Sequence, residues 1–563
     1  VTLACALPVY AQVSGRSFVG QGSLALLENI LPGWWGRLFV LALLGFAATD
    51  FVITMTLSAA DAATHAVENP YLHPYLHHGH LWLTLVLLAL LAVVFLKGFR
   101  EAIELATAVC VPYLILNAIV LVRAFGQVMT HPALLAGWRR ALEARGDWTM
   151  LFVFSALAFP RLALGLSGFE TGVSVMPLIR GRDDDDPAHP AGRIRNTRRL
   201  LFTAAVIMSV MLTVSSFVTV ILIPPAAYRE GGPASGRAIA WLAHQLLGNG
   251  FGSLYDFSTI LILWFAGASA MAGLLHLIPR YLPRVGLAPA WTAWTRPLVL
   301  TLFTFDVIVT LIFRANVEAQ GGAYATGVLV LMLSAAFAAS LTLWREGRRL
   351  LSAYCWLVTL VFLYTTIANV IERPDGIIIA TIFILFILAV SAISRSVRAT
   401  ELRITDVEFV DEQSRALWNE MRAKKVNLIP VYKLDEPTLA RKAADFRRYY
   451  RVDGPLAFAH VTLVDNRSEF IGCVCVEVRR DGDNYTIESG QAVAIANTLA
   501  YFTEELKPTS VVVSLSQRGM MLQALRYLLF GEGETGLMIY TILRRRWEGA
   551  PPGSRPLIFL RSE

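Results

Sequence analysis

The sequence predicts a polytopic α-helical membrane protein with an α/β domain at its C-terminus, and three observations predict it. Apolar runs of seventeen residues or more recur up to about residue 394, each long enough to cross a hydrocarbon core about 30 Å thick. Charged residues are 16% of the whole chain but are rare in that stretch and dense after it. From about residue 399 the pattern changes to short apolar strands alternating with polar helical stretches. These shifts divide the chain into a membrane part, residues 1–394, and a soluble part, residues 395–563, joined through "RSVRATELRI".

Eleven apolar spans are read in order at about 1–14, 36–60, 81–97, 103–125, 149–178, 199–224, 253–277, 296–313, 323–344, 351–371 and 377–394. Alternate connections hold sixteen arginines and lysines, among them Arg16, Lys97, Arg180, Arg195 and Arg345, against eight on the other side. The positive-inside rule puts the richer side and the C-terminal domain in the cytoplasm. "VTLACALPVYAQ" has a small-residue end like a signal peptide but lacks a basic n-region. A frame that starts inside a membrane helix fits better, and the charge polarity then implies a twelfth helix upstream.

In the soluble part, "VNLIPVY" and "LAFAHVTLVD" flank a polar helix. "FIGCVCVEVRR", a helix at "AVAIANTLAYFTEELK" and "SVVVSLS" follow. Strands alternating with helices imply a largely parallel sheet. The net charge of +7 would suit a nucleic-acid partner in a soluble protein, but much of the excess lies between spans and reads as topology signal, so no nucleic acid is expected.

Glu170, in "GLSGFETGVSVMP", stands out because a carboxylate at membrane depth costs a few kcal/mol or more (~2.5 and upward) and marks a functional site by default. Gly165, Gly168 and Gly172 permit a helix break whose free backbone groups bind ions or substrate. Small-residue helix packing with Glu170 reaching to the interface explains the glycines equally well, but not the acid. In "GFAATDFVITMTLSAADAATH", Asp50, Thr54 and Ser58 recur every four residues and share one helix face. A carboxylate and two hydroxyls in a stripe line a path for a small cation or proton, since hard cations take oxygen ligands; an aspartate paired with a basic group is the alternative. Asp61 reads as interfacial.

The remaining features read as incidental. "HPYLHHGH" is a loop histidine cluster, "RDDDDP" a solvated acidic run, and "NRS" an acceptor sequence on the cytoplasmic side. The five cysteines give no disulfide framework, and no metal site is expected, although "CVC" places Cys473 and Cys475 on one strand face. A phosphate loop, zinc-protease helix and nucleophile elbow are absent from the sequence, so an enzyme is not expected.

With Glu170 and Asp50 in place, the membrane part resembles the amino acid–polyamine–organocation superfamily of secondary transporters, most closely its potassium–proton symporters. The resemblance rests on the Asp50, Thr54, Ser58 stripe, on Ser167 and Glu170 in "SGFE", and on Tyr324 in "YATGV". It covers most of the chain, because the soluble tail also looks like the domain those symporters carry. It implies a LeuT-like inverted-repeat fold with the first helix missing, in a bacterial inner (plasma) membrane. It further implies proton-coupled uptake by alternating access, with Asp50, Thr54, Ser58, Ser167, Glu170 and Tyr324 around a potassium ion. For the tail it implies a homodimer and a cyclic dinucleotide or other nucleotide effector. The eighth-helix segment "FAGASAMAGLLHLIPRYLPR" keeps only a faint echo of the family pattern. An amino-acid permease on the same fold is the alternative, and a membrane-anchored sensor a third.

Overall fold

The computed structural model describes residues 2–17, 22, 26–27, 34–76, 79–98, 102–144, 146–158, 168–174, 176–182, 185–186, 189–229, 231–281, 290–398, 404, 406–431, 433–450, 453–463, 473–492, 495–515, 536–549, 551 and 555–562. They fall into two compact units, residues 1–278 with 291–386 and residues 279–290 with 387–563.

In the first unit apolar residues dominate the long helices, each backbone group is satisfied within its own helix, and the side chains face either neighbours or lipid. A π-helical turn, Thr2–Ala6, leads into α1, Leu7–Ser14. The following helices are α2, Trp34–Val67; α3, His80–Lys97; α4, Ala102–Thr130; α5, Pro132–Glu143; α6, Trp148–Ala158; and α7, Gly168–Ser174. After them come α8, Ala191–Leu222; α9, Ala238–Tyr281; α10, Thr295–Phe313; α11, Val317–Arg345; α12, Arg349–Glu372; and α13, Asp375–Arg398. Eight of these are long and apolar enough to cross a membrane, and the 2–14 and 375–390 segments are shorter apolar helices. Val122, Val210, Ile312 and Ile371 are among the large apolar side chains left on the surface, as expected where the surrounding medium is hydrocarbon.

Two helices form the centre. α11 is rich in Gly, Ala and Ser, and these small residues let it pack closely against α2 and α12. A Cβ on Gly327 would sit 3.2 Å from the Asp50 Cα, so any larger residue would push the two helices apart by a few tenths of an ångström at this level. Asn316 starts α11 by accepting the Ala319 N–H at 2.9 Å. α9 is broken at Gly248 (φ 83°, ψ 166°), a conformation glycine adopts freely.

Sequence reading treats "RDDDDP" as a solvated run, but Asp185 has a structural job. Pro190 precedes α8 and has no side-chain acceptor, and Asp185 supplies one instead. Its Oδ1 accepts the Gly192 N–H at 2.8 Å, and its Oδ2 accepts those of Arg193 and Arg182 at 2.9 and 3.1 Å. A carboxylate is the favoured acceptor at a helix N-terminus, where the free N–H groups point outward.

The second unit is an α/β region. Its elements are β1, Asp406–Phe409; α14, Glu412–Lys424; β2, Asn427–Pro430; α15, Glu436–Tyr450; β3, Leu456–Leu463; β4, Cys473–Asp481; and β5, Asn484–Ala492. α16, Ile495–Leu506; β6, Ser510–Leu515; α17, Gly536–Trp547; and β7, Leu557–Ser562, complete it. The strands form one sheet in the order β1-β4-β5-β3-β2-β6-β7. Every neighbouring pair is parallel except β4 and β5. That pair is joined at Gly482 (φ 60°), part of the Asp-Gly signal of a tight hairpin.

Both faces of the sheet are covered, as a mainly parallel sheet requires. Leu428, Val476 and Ile487 join Trp418, Met421 and Phe502 in one core, while Ile429 and Phe458 join Leu439 and Phe446 in the other. β1, β5 and β7 are strands that sequence reading passed over. Asn484–Ala492 is polar in sequence, and it forms a strand because it pairs with a neighbour on each side.

Two carboxylates clamp α14. The Ser414 hydroxyl and backbone N–H beside Asp411 hold its carboxyl below the ordinary range. Lys424, with the Tyr485 hydroxyl, does the same to Glu420. A lowered folded value gives stability that is full above the unfolded value, about pH 4, and is lost as the pH falls through the folded one. The Asp411→Asn, Glu420→Gln double variant is therefore expected to show a flatter acid side in its stability–pH curve, followed by Trp418 fluorescence. An acid side identical to that of the parent would contradict these assignments.

Candidate functional site

α2 is buried on nearly all sides at its midpoint, and this is where Asp50 sits, 2% exposed. Thr54 donates its hydroxyl to the Asp50 carbonyl at 2.7 Å, which leaves the threonine oxygen's lone pairs available as acceptors. Glu170, on the first turn of the short helix α7, is 5% exposed. The buried Tyr10 of α1 stands within electrostatic reach of both carboxyls, its ring 5.7 Å from that of Phe169. Gly22 (φ 59°) brings backbone against the Glu170 Oε1, where a Cβ would collide.

A cavity of about 990 Å³ in the same unit is lined by Thr54, Ser58 and Tyr324. Its mouth carries charges of both signs: Asp61 and Glu318, with Arg314 and Arg373. Arg373 lies across α11, where a Cβ on Gly322 would meet its Cδ at 2.6 Å. His80 also lines the cavity, bonded to the Thr64 hydroxyl at 3.0 Å.

Of the residues singled out from sequence, Asp50 and Glu170 are thus both within reach of Tyr10, and Thr54, Ser58 and Tyr324 share the cavity. Gly168 and Gly172 lie inside α7, and Gly172 packs on Leu201 of α8, as a packing glycine would. Ser167 and Gly165 fall outside the described residues. Cys473 and Cys475 are free thiols, and no group of three metal-ligating side chains occurs among the described residues.

Sequence reading counts two acids in the spans, and this number is corrected. Asp256 of α9 and Asp306 of α10 are each 1% exposed. The signal was the same one that picked out Asp50, a lone acid inside an apolar run, in "YDFSTILILW" and "LFTFDVIVTLIF".

Asp256 is fully engaged. Its Oδ1 meets His65 Nδ1 at 2.9 Å, and its Oδ2 meets Asn69 Nδ2 at 2.8 Å and His244 Nε2 at 3.0 Å. His244 also reaches Asn249 at 3.2 Å, across the break at Gly248, and its ring fills the space a side chain on Gly252 would need. One carboxylate therefore ties α2 to both halves of α9.

The opposite end of α1 is tied as well. Arg16 forks onto Glu346 at the end of α11, with Nε and Nη2 donating at 2.8 and 2.6 Å, and Arg198 of α8 donates to the Ala11 carbonyl at 2.9 Å. A fork of this kind fixes geometry as well as charge.

The eight apolar spans and the mixed sheet define the class: a multi-pass membrane protein with an α/β region at its C-terminus. Comparison with known proteins adds no narrower name, since no family model and no curated protein matches the chain.

The Asp256 cluster generates a stability prediction. Asp256→Ala leaves two imidazoles and an amide without their buried acceptor, at a cost on the order of 2–5 kcal/mol. The melting temperature of the protein in nanodiscs is expected to fall well below that of the parent, with a smaller fall for Asp256→Asn. Parental melting of the alanine variant would contradict the role of this cluster as a tie.

Proposed function

We propose that the membrane part is a proton-coupled secondary transporter, a symporter that takes up potassium by alternating access. The observation that carries this reading is the pair of buried carboxyls Asp50 and Glu170, on different helices, with Thr54 and Ser58, one and two turns on from Asp50, lining a cavity. Potassium is a hard cation, and Asp50, Thr54, Ser58, Glu170 and Tyr324, with Ser167, supply oxygen ligands of the kind it takes. A symporter carries the proton and the cation in the same direction, so the two bind together: one of the two carboxyls takes the proton while the other, with the hydroxyls, holds the cation. Loss of the proton on the far side of the membrane then accompanies release of the cation.

One feature of the cavity favours a second reading, an amino-acid permease. Arg314 and Arg373 face the same space as Asp61 and Glu318, and paired charges of both signs suit a zwitterion better than a bare cation. On either reading the protein works in a bacterial plasma membrane with the α/β region in the cytoplasm, in keeping with the arginine and lysine bias of its loops. We assign that region to dimerisation and to regulation by a cyclic dinucleotide or related nucleotide. Ligands of open parallel sheets bind at the carboxyl ends of the strands, and β2, β3, β5 and β6 present four such ends side by side.

Growth of a potassium-uptake-deficient bacterium at limiting potassium tests the substrate. Cells expressing the protein are expected to grow, and cells expressing Glu170→Gln at equal membrane level are not. Failure of both, with restored uptake of an amino acid by the parent, would replace potassium with the second reading.

A further inference from the structure

Asp306 and Thr310 stand one turn apart on α10, so their side chains share a face of that helix. Both are buried, with Asp306 1% exposed and Thr310 fully enclosed. The Asp306 Oδ1 and the Thr310 Oγ1 are each sealed from solvent and without a hydrogen-bond partner. The threonine is the second, independent sign that something belongs here. Hydroxyls in these spans ordinarily donate to a carbonyl one turn back, and on α10 itself Thr301 and Thr304 do so to Pro297 and Leu300, at 2.9 Å each. Thr310 does not, so its hydroxyl is left for another partner.

A metal cation fits poorly. Hard cations gather about six oxygens. Among the described residues of α10, the Asp306 carboxyl and the Thr310 hydroxyl are the unpartnered groups, and α2 and α3, which pack against α10, are unbroken helices whose carbonyls are spent in their own ladders. Among the described residues an ion pair is also missing: α2 brings Asp50, Asp61 and His65 and α3 brings His80 and Lys97, and none of them pairs with the Asp306 carboxyl. α13 contributes the rings of Phe383 and Phe386, which pack on Phe305. An ionised carboxylate without a partner in such surroundings is strongly disfavoured, and the smallest species that removes its charge is a proton.

We propose that Asp306 is a proton-binding site of the membrane part, separate from the Asp50 and Glu170 pair, which carries its proton as the neutral acid and, when protonated, turns to the unpartnered Thr310 hydroxyl one turn away. The neutral acid has one O–H to donate and a carbonyl oxygen to accept, and a hydroxyl complements both. The site depends on the burial and isolation of α10 and not on the identity of the transported substrate.

Infrared difference spectroscopy of the full chain in nanodiscs tests this. The parent-minus-Asp306→Asn spectrum at neutral pH is expected to contain the carbonyl band of a protonated carboxylic acid, shifted by deuterium exchange. Thr310→Val is expected to move that band without abolishing it. Loss of an ionised carboxylate band instead would overturn the proposal. So would conversion of the acid band to a carboxylate band on adding potassium or sodium, which would make a metal ion the ligand. A band unmoved by Thr310→Val would overturn the threonine's part. Parental melting of Asp306→Asn is the control that keeps these outcomes separate from misfolding, and none of them depends on whether potassium is carried.

Discussion

The cost of holding carboxyl groups out of water is the constraint on which the membrane part depends. Charge in a low-dielectric interior is stabilised by opposite charge, by hydrogen bonds or by a proton, and is otherwise expelled. The chain uses different answers at different depths. Asp256 is given three donors, two of them imidazoles, and becomes a tie between helices. Asp61 is set at the wall of the cavity, with its Oδ1 sealed from solvent. Asp50 and Glu170 are both held in the interior, on different helices, and in the proposed function a cation and a proton answer their charge.

The helices around that pair are built to permit the approach. Gly327 lets α11 lie against the backbone of α2 at Asp50, and Gly22 does the same at Glu170. The hydroxyls of Thr54 and Ser58 continue the stripe toward the cavity, and Tyr324 closes it from α11. At the other end, the Arg16–Glu346 fork holds α1, which carries Tyr10, against α11.

Much of the fold was legible in the sequence because hydrophobic length and period are local properties. The long apolar runs became helices, and the strands at 427–430, 456–463, 473–481 and 510–515 fell where apolar alternation put them. Asp50 and Glu170 were legible for the same reason, as single acids in apolar surroundings. What was missed depends on contacts between distant residues. The polar segment at 484–492 is a strand only through its two neighbours, and Asp185 becomes a helix cap only because α8 begins where Pro190 cannot supply one. His65 and His244 lie 179 positions apart and acquire meaning only when Asp256 stands between them. Asp306 was readable in principle, but its isolation from other charge belongs to the packed structure.

The most direct test of the central claim, that Asp50 and Glu170 bind a cation and a proton together, is the pH change when potassium is added to the purified protein in weakly buffered solution. The account predicts proton uptake that saturates with potassium binding and disappears in both Asp50→Asn and Glu170→Gln. Potassium binding with proton release or with no pH change, or uptake unaltered in the two variants, would contradict it.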